Sequence, residues 1–206
     1  MLKVKICGLK RAQDAIWANS LRPDFIGFVF AQSKRRVSAA EASYISNAIS
    51  DDILRVGVFV NPSKDDIEHV LKCVRLDIIQ LHGDESPVFC ESLKLPVWKA
   101  FRVSSAESLK LIKEYEDKVD AVVLDGFSEE SFGGTGKAFD WRLTARENFN
   151  IPVVLAGGLN CMNIEKACGI VKPDVVDVSS GVETDGFKDP AKVGEFVRKA
   201  RNIRYE

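Results

Sequence analysis

Short, near-continuous apolar runs recur along the chain, and each is followed by a longer stretch whose apolar positions return every three or four residues. The runs lie at 3–7, 24–30, 54–60, 77–81, 97–101, 121–125, 153–156 and 175–179. The periodic stretches lie at about 11–20, 38–50, 64–74, 86–93, 105–116, 139–148, 161–171 and 189–202. Continuous apolar runs predict parallel strands covered on both faces. Their regular alternation with helices, unbroken by a linker or a shift of composition, predicts a single α/β domain over residues 1–206. Eight such units predict a closed (β/α)8 barrel of the TIM type, although the chain is short against the ~250 residues usual for it. An open, doubly wound sheet is the competing architecture. It would use fewer parallel strands and place a glycine-rich loop after the first, whereas the glycines here cluster late.

Helix starts carry their own signals. Ser38 stands three residues before Glu41, as in a capping box, and Asp65 and Asp66 fall in a first turn, where carboxylates favour the positive end of the helix dipole.

Composition narrows the function. A formal charge of −1 over 206 residues leaves no basic field for nucleic acid. Arg198-Lys199-Ala200-Arg201 reads as a solvated helix end. No apolar run approaches the ~20 residues that cross a bilayer. A strand at the very start leaves no room for a signal peptide, and five scattered cysteines without a C-x-x-C pair suggest reduced thiols, so the cytoplasm is expected.

Two residues at strand ends suggest proton-transfer chemistry. Cys7 closes the first strand before Gly8, and Asp125 closes the sixth before Gly126. Barrel catalysts come from several strand carboxyl ends. The bland alternatives are a small core hydrophobe for Cys7 and a turn cap for Asp125. Lys3, Lys5 and Cys7 share a strand face, which puts Lys5 ~7 Å below the sulfur, where its charge would favour thiolate. Asp177, on the strand beside it in a closed barrel, is the expected partner of a buried Lys5. His82 follows the fourth strand and faces either the mouth or a structural partner.

Gly157-Gly158-Leu159-Asn160 after strand seven and Ser180-Gly181 after strand eight occupy the places where barrels recurrently cradle phosphate; two tight turns without a ligand are the alternative. Gly133-Gly134-Thr135-Gly136-Lys137 fits neither the Walker A nor the dinucleotide pattern and reads as an active-site loop. His69 and His82 are too far apart for a local metal pair, so no metal is expected. Cys73, Cys90, Cys161 and Cys168, with Trp17, Trp98 and Trp141, are expected to be packing residues.

Taken in order, Val4-Lys5-Ile6-Cys7-Gly8-Leu9, Ser33-Lys34-Arg35, Gly57-Val58-Phe59-Val60-Asn61, Gln80-Leu81-His82-Gly83, Leu124-Asp125, Gly133-Gly134-Thr135-Gly136-Lys137, Ala156-Gly157-Gly158-Leu159-Asn160 and Asp177-Val178-Ser179-Ser180-Gly181 resemble the phosphoribosylanthranilate isomerase family over the whole chain. That resemblance implies a (β/α)8 barrel catalysing the Amadori rearrangement of N-(5-phosphoribosyl)anthranilate in tryptophan biosynthesis, without a cofactor. It implies Cys7 as general base, Asp125 as general acid and Arg35 as the carboxylate-binding arginine, with Arg36 one residue away as the alternative. It leaves monomer or homodimer open. Lys34 stands where the family often has proline. The related barrel isomerases of histidine biosynthesis use two aspartates and cradle phosphates in both halves, which Cys7 and the late glycines disfavour. A catalytically silent phosphate-binding protein would be expected to lack the acid or the base.

Overall fold

A computed structural model describes residues 1–126, 141–143 and 149–205. Eight strands pair in parallel and close into a barrel: β1 Lys3–Cys7, β2 Phe25–Val29, β3 Leu54–Phe59, β4 Ile78–Leu81, β5 Val97–Val103, β6 Ala121–Gly126, β7 Val153–Leu155 and β8 Val175–Val178. Between and after them lie the helices α1 Ala12–Leu21, α2 Ala39–Ser46, α3 Lys64–Cys73, α4 Pro87–Glu91, α5 Ala106–Lys110, α6 Ile164–Val171 and α7 Pro190–Asn202. The expected strands and the expected barrel are thus found. Among the described residues no helix is long and apolar enough to cross a membrane.

Strand alternation sorts the core into two layers. Phe25, Val56, Ile78, Trp98, Ala121, Val123, Val154 and Val175 fill the barrel floor, with Trp98 edge-on to Phe25 at 4.9 Å. Outward residues such as Val4, Ile6, Phe28 and Ile79 pack under the helices, where Phe196 of α7 is fully buried. Each such side chain contributes roughly 1.5–3 kcal/mol by leaving water. Arg55, also buried, gives its guanidinium hydrogens to the carbonyls of Ser46, Ile49 and Ile53, so it closes the end of α2 that no intrahelical donor can reach.

The expected capping box is present. Ser38 Oγ accepts from the Glu41 N–H at 3.2 Å, and Glu41 accepts from the Ser38 N–H at 2.8 Å. The helix expected at 105–116 changes after Lys110 into a 3-10 turn over Leu111–Glu114. Of the helix expected at 139–148, Trp141–Leu143 form a 3-10 turn. The rest of that stretch, and the 133–137 loop, lie outside the described residues.

One element was not expected. After a 3-10 turn over Ser180–Val182, β9 Glu183–Thr184 and β10 Phe187–Lys188 pair as an antiparallel hairpin. Asp185 and Gly186 join them with φ of 51° and 77°. Two successive positive φ angles suit an Asp-Gly pair and match the twist of a two-residue hairpin turn.

Candidate active site

The barrel interior turns polar at the carboxyl ends of its strands. Cys7, Gln80, Asp125 and Asp177 line one cavity there, together with Arg35 and His82. Gly157, Gly158, Ser179 and Ser180 complete its rim on the side of β7 and β8. Two expected residues stand behind this wall. Asn160 turns its Oδ1 to the Met162 N–H at 2.8 Å, and Gly181 packs so tightly that a β-carbon on it would meet the Leu159 carbonyl at 1.9 Å.

The thiol owes its place to a glycine on the neighbouring strand. Cys7 pairs with Gly27 in the β1–β2 register, and a β-carbon at Gly27 would meet Cys7 Sγ at 2.9 Å. Below the sulfur, Lys5 is fully buried and donates to Asp177 Oδ2 at 2.6 Å, the partner directly across the β1–β8 register. For Lys5, burial works to release the proton, but Asp177 and Cys7 outweigh it and leave the amine above its ordinary value. Cys7 itself is shifted up. Burial is the largest influence, Lys5 opposes it, Asp177 adds to it and Lys188 opposes it again. Lys5 favours the thiolate, as expected, but the cost of burying the sulfur exceeds that help.

Across the cavity, Asp125 is buried, and its Oδ2 lies 2.9 Å from His82 Nε2, although the pair is not aligned as a hydrogen bond. His82 Nδ1 faces Gln80 Nε2 at 3.3 Å. Gly157, with φ of 78°, brings the β7 turn against the acid so closely that a β-carbon would meet Asp125 Oδ1 at 2.5 Å. Only a residue without a side chain takes that backbone shape at that distance. Gln80 Oε1 and Asp177 Oδ1 are buried without a hydrogen-bond partner among the described residues.

Arg35 lines this cavity, whereas Arg36 lines a different one with His69 and Asp66. The Arg35 guanidinium is held in a two-pronged contact, Nε to Glu183 Oε1 at 2.8 Å and Nη2 to Glu183 Oε2 at 2.9 Å. Lys188, also buried, donates to Glu183 Oε1 at 2.6 Å. Burial pushes the Glu183 carboxyl up, yet Arg35 and Lys188 together hold it down at about 2. Glu183 then stabilises the fold above the ordinary carboxylate range, and that contribution is lost as pH falls from about 4.5 towards about 2. The drop corresponds to on the order of 3 kcal/mol. Acid unfolding of Glu183→Gln should accordingly be flatter than wild type over that window, and parallel curves would show that the pair contributes nothing there.

Sequence reasoning missed Gln80, Ser179, Glu183 and Lys188 as members of this site. The last two sit on the hairpin, which Asp185-Gly186 between two short apolar-edged segments could have revealed. Among the other cysteines, Cys90 and Cys168 are buried as expected, but Cys73 is exposed and Cys161 half-buried in the turn before α6. His69 is exposed, and Trp17, Trp98 and Trp141 are core residues.

The comparisons point one way. The family model described as N-(5'phosphoribosyl)anthranilate (PRA) isomerase matches residues 4–199. An N-(5'-phosphoribosyl)anthranilate isomerase of Caldanaerobacter subterraneus is 47% identical over 204 residues, covering 98% of this chain and all of that one. The crystal structure of phosphoribosyl anthranilate isomerase from Thermotoga maritima superposes with a TM-score of 0.91 at 36% identity, covering 98% of this chain and 100% of its own. A structure of such an isomerase in complex with reduced 1-(o-carboxyphenylamino)-1-deoxyribulose 5-phosphate superposes with a TM-score of 0.87 at 35% identity, over 98% of this chain and 100% of its own.

Proposed function

The chain belongs to the N-(5'-phosphoribosyl)anthranilate isomerase family, and from that premise we propose that Cys7 is the general base and Asp125 the general acid of its reaction. It is an isomerase of tryptophan biosynthesis, converting N-(5-phosphoribosyl)anthranilate into 1-(2-carboxyphenylamino)-1-deoxyribulose 5-phosphate. The observation that carries the residue assignment is the meeting of one thiol and one carboxyl group, from β1 and β6, in a single cavity.

The reaction divides between them. Asp125 protonates the furanose ring oxygen as the C1–O bond breaks, and the anthranilate nitrogen lone pair forms an iminium. That iminium acidifies the C2 hydrogen, Cys7 removes it as a proton, and the C2–H electrons flow to nitrogen to give an enamine. Tautomerisation then delivers the ketone. The substrate's own nitrogen is the electron sink, so the chemistry draws on no cofactor and no metal. General acid–base assistance of this kind supplies about 100-fold to 10,000-fold in rate.

The remaining wall suits the rest of the substrate. Val29, Val58 and Val60 form an apolar side next to Arg35, fitting an aromatic ring that bears a carboxylate. The Gln80 and Asp177 acceptors that meet no donor among the described residues suit sugar hydroxyls, and His82 is placed to orient the acid. Gly157, Gly158 and Ser180, backed by Asn160 and Gly181, offer the phosphate its place.

Arg35→Ala should raise KM by about tenfold or more with a smaller effect on kcat, because it removes a charge-assisted contact made in ground and transition states alike. Steady-state fluorescence of the anthranilate adduct, in metal-free buffer, measures it. An unchanged KM, with a rise in Arg36→Ala instead, would move the role by one residue. We further read residues 1–206 as one catalytic domain acting in the cytoplasm on a phosphorylated small molecule, as a monomer or a homodimer.

A further inference from the structure

Lys188 is a buried cation of the site that the reaction above does not use. Its Nζ donates to Glu183 Oε1 at 2.6 Å, to the Ser179 carbonyl at 3.0 Å and to Ser179 Oγ at 3.2 Å. Ser179 Oγ in turn donates to the Cys7 carbonyl at 2.9 Å. A single ammonium thus ties the anchor of Arg35 to the end of the strand that carries the sulfur.

We propose that Lys188 is a positioning residue, coupling the carboxylate-binding Arg35 to Cys7 through Glu183 and Ser179 and supplying the surplus positive charge that a thiolate requires there. The inference rests on the assignment of Cys7 and Arg35 made above.

The charge balance around the sulfur is the physical reason. Lys5 comes from β1 and Asp177 from β8, and they neutralise each other. Arg35, from the segment after β2, and Glu183, from β9, form a second neutral pair. Lys188, from β10, leans on a Glu183 that Arg35 already balances. Asp125 and His82 face each other on another part of the wall. The cluster next to Cys7 therefore holds one positive charge in excess, the complement of a thiolate. Lys188 accordingly draws the Cys7 thiol down against burial, while burial, outweighing Glu183 and Cys7, leaves the Lys188 amine itself below its ordinary value.

The test reads the thiolate and not only turnover. Absorbance at 240 nm, taken as the difference from the same protein carrying Cys7→Ser, gives the titration midpoint of Cys7. Lys188→Met should move that midpoint up by about one pH unit and lower kcat/KM at neutral pH about tenfold. Glu183→Gln, which removes a negative charge, should move the midpoint down. Lys188→Arg should restore it. Opposite shifts in two near-isosteric variants are not produced by loosened packing. A midpoint unmoved in both, with Cys7→Ser inactive, overturns the role of Lys188 alone; full turnover in Cys7→Ser strikes the assignment of the base instead. Should Lys188→Met fail to fold, Glu183→Gln and Lys188→Arg still decide, because an unmoved midpoint in the first contradicts the charge argument.

Discussion

Replacing Cys7 by serine is expected to lower kcat by about 100-fold or more with the fold unchanged. The hydroxyl is smaller than the thiol, so the gap that Gly27 leaves for the sulfur accommodates it without a clash. Its anion is far harder to form than a thiolate, and the positive field of Lys5 cannot make up the difference in so buried a place. The loss should fall on kcat and leave KM within a few-fold, since removing the C2 proton belongs to the transition state and not to substrate binding. Fluorescence of the anthranilate adduct measures both constants. Turnover close to wild type would mean that another group takes the proton.

Asp125→Asn should cost a similar factor of about 100-fold or more in kcat, for the complementary reason. The amide matches the carboxyl in shape, so the crowded contact with Gly157 survives, but it has no acidic proton to give the ring oxygen. His82, 2.9 Å from the carboxylate, would then face an amide and could not take over delivery along the same line. A thermal midpoint within a few degrees of wild type would separate loss of chemistry from loss of fold. If the asparagine variant turns over normally, C1–O cleavage does not use this acid.

Much of the architecture was readable from periodicity, because parallel strands covered on both faces are apolar at most positions. That constraint placed β1 and β6, and strand pairing then placed Lys5 against Asp177. The Ser38 cap was legible because its partner is three residues away. The hairpin of β9 and β10 was not, because two-residue strands leave too short a pattern to register as a period. Lys188 was missed with it: a lysine on such a segment looks solvated until the hairpin folds it over the barrel mouth. The choice between Arg35 and Arg36 lies in a loop, where no period decides which of two neighbours faces inward. The cation beside the thiol was legible from strand alternation, but the cost of burial was not, because it depends on everything packed around the sulfur.

The ion pair between Lys5 and Asp177 joins the first strand of the barrel to its last. On a ribosome Cys7, the proposed base, is among the earliest residues made, yet its electrostatic counterparts on β8 and β10 are among the latest. Translation proceeds from the N-terminus, so a nascent chain lacking its final strands holds a lysine it cannot neutralise and a sulfur without its setting. Competence for proton transfer is therefore acquired in one step, when the ends of the polypeptide meet, and a C-terminal truncation before Asp177 should abolish turnover even though Cys7 and Asp125 are both present.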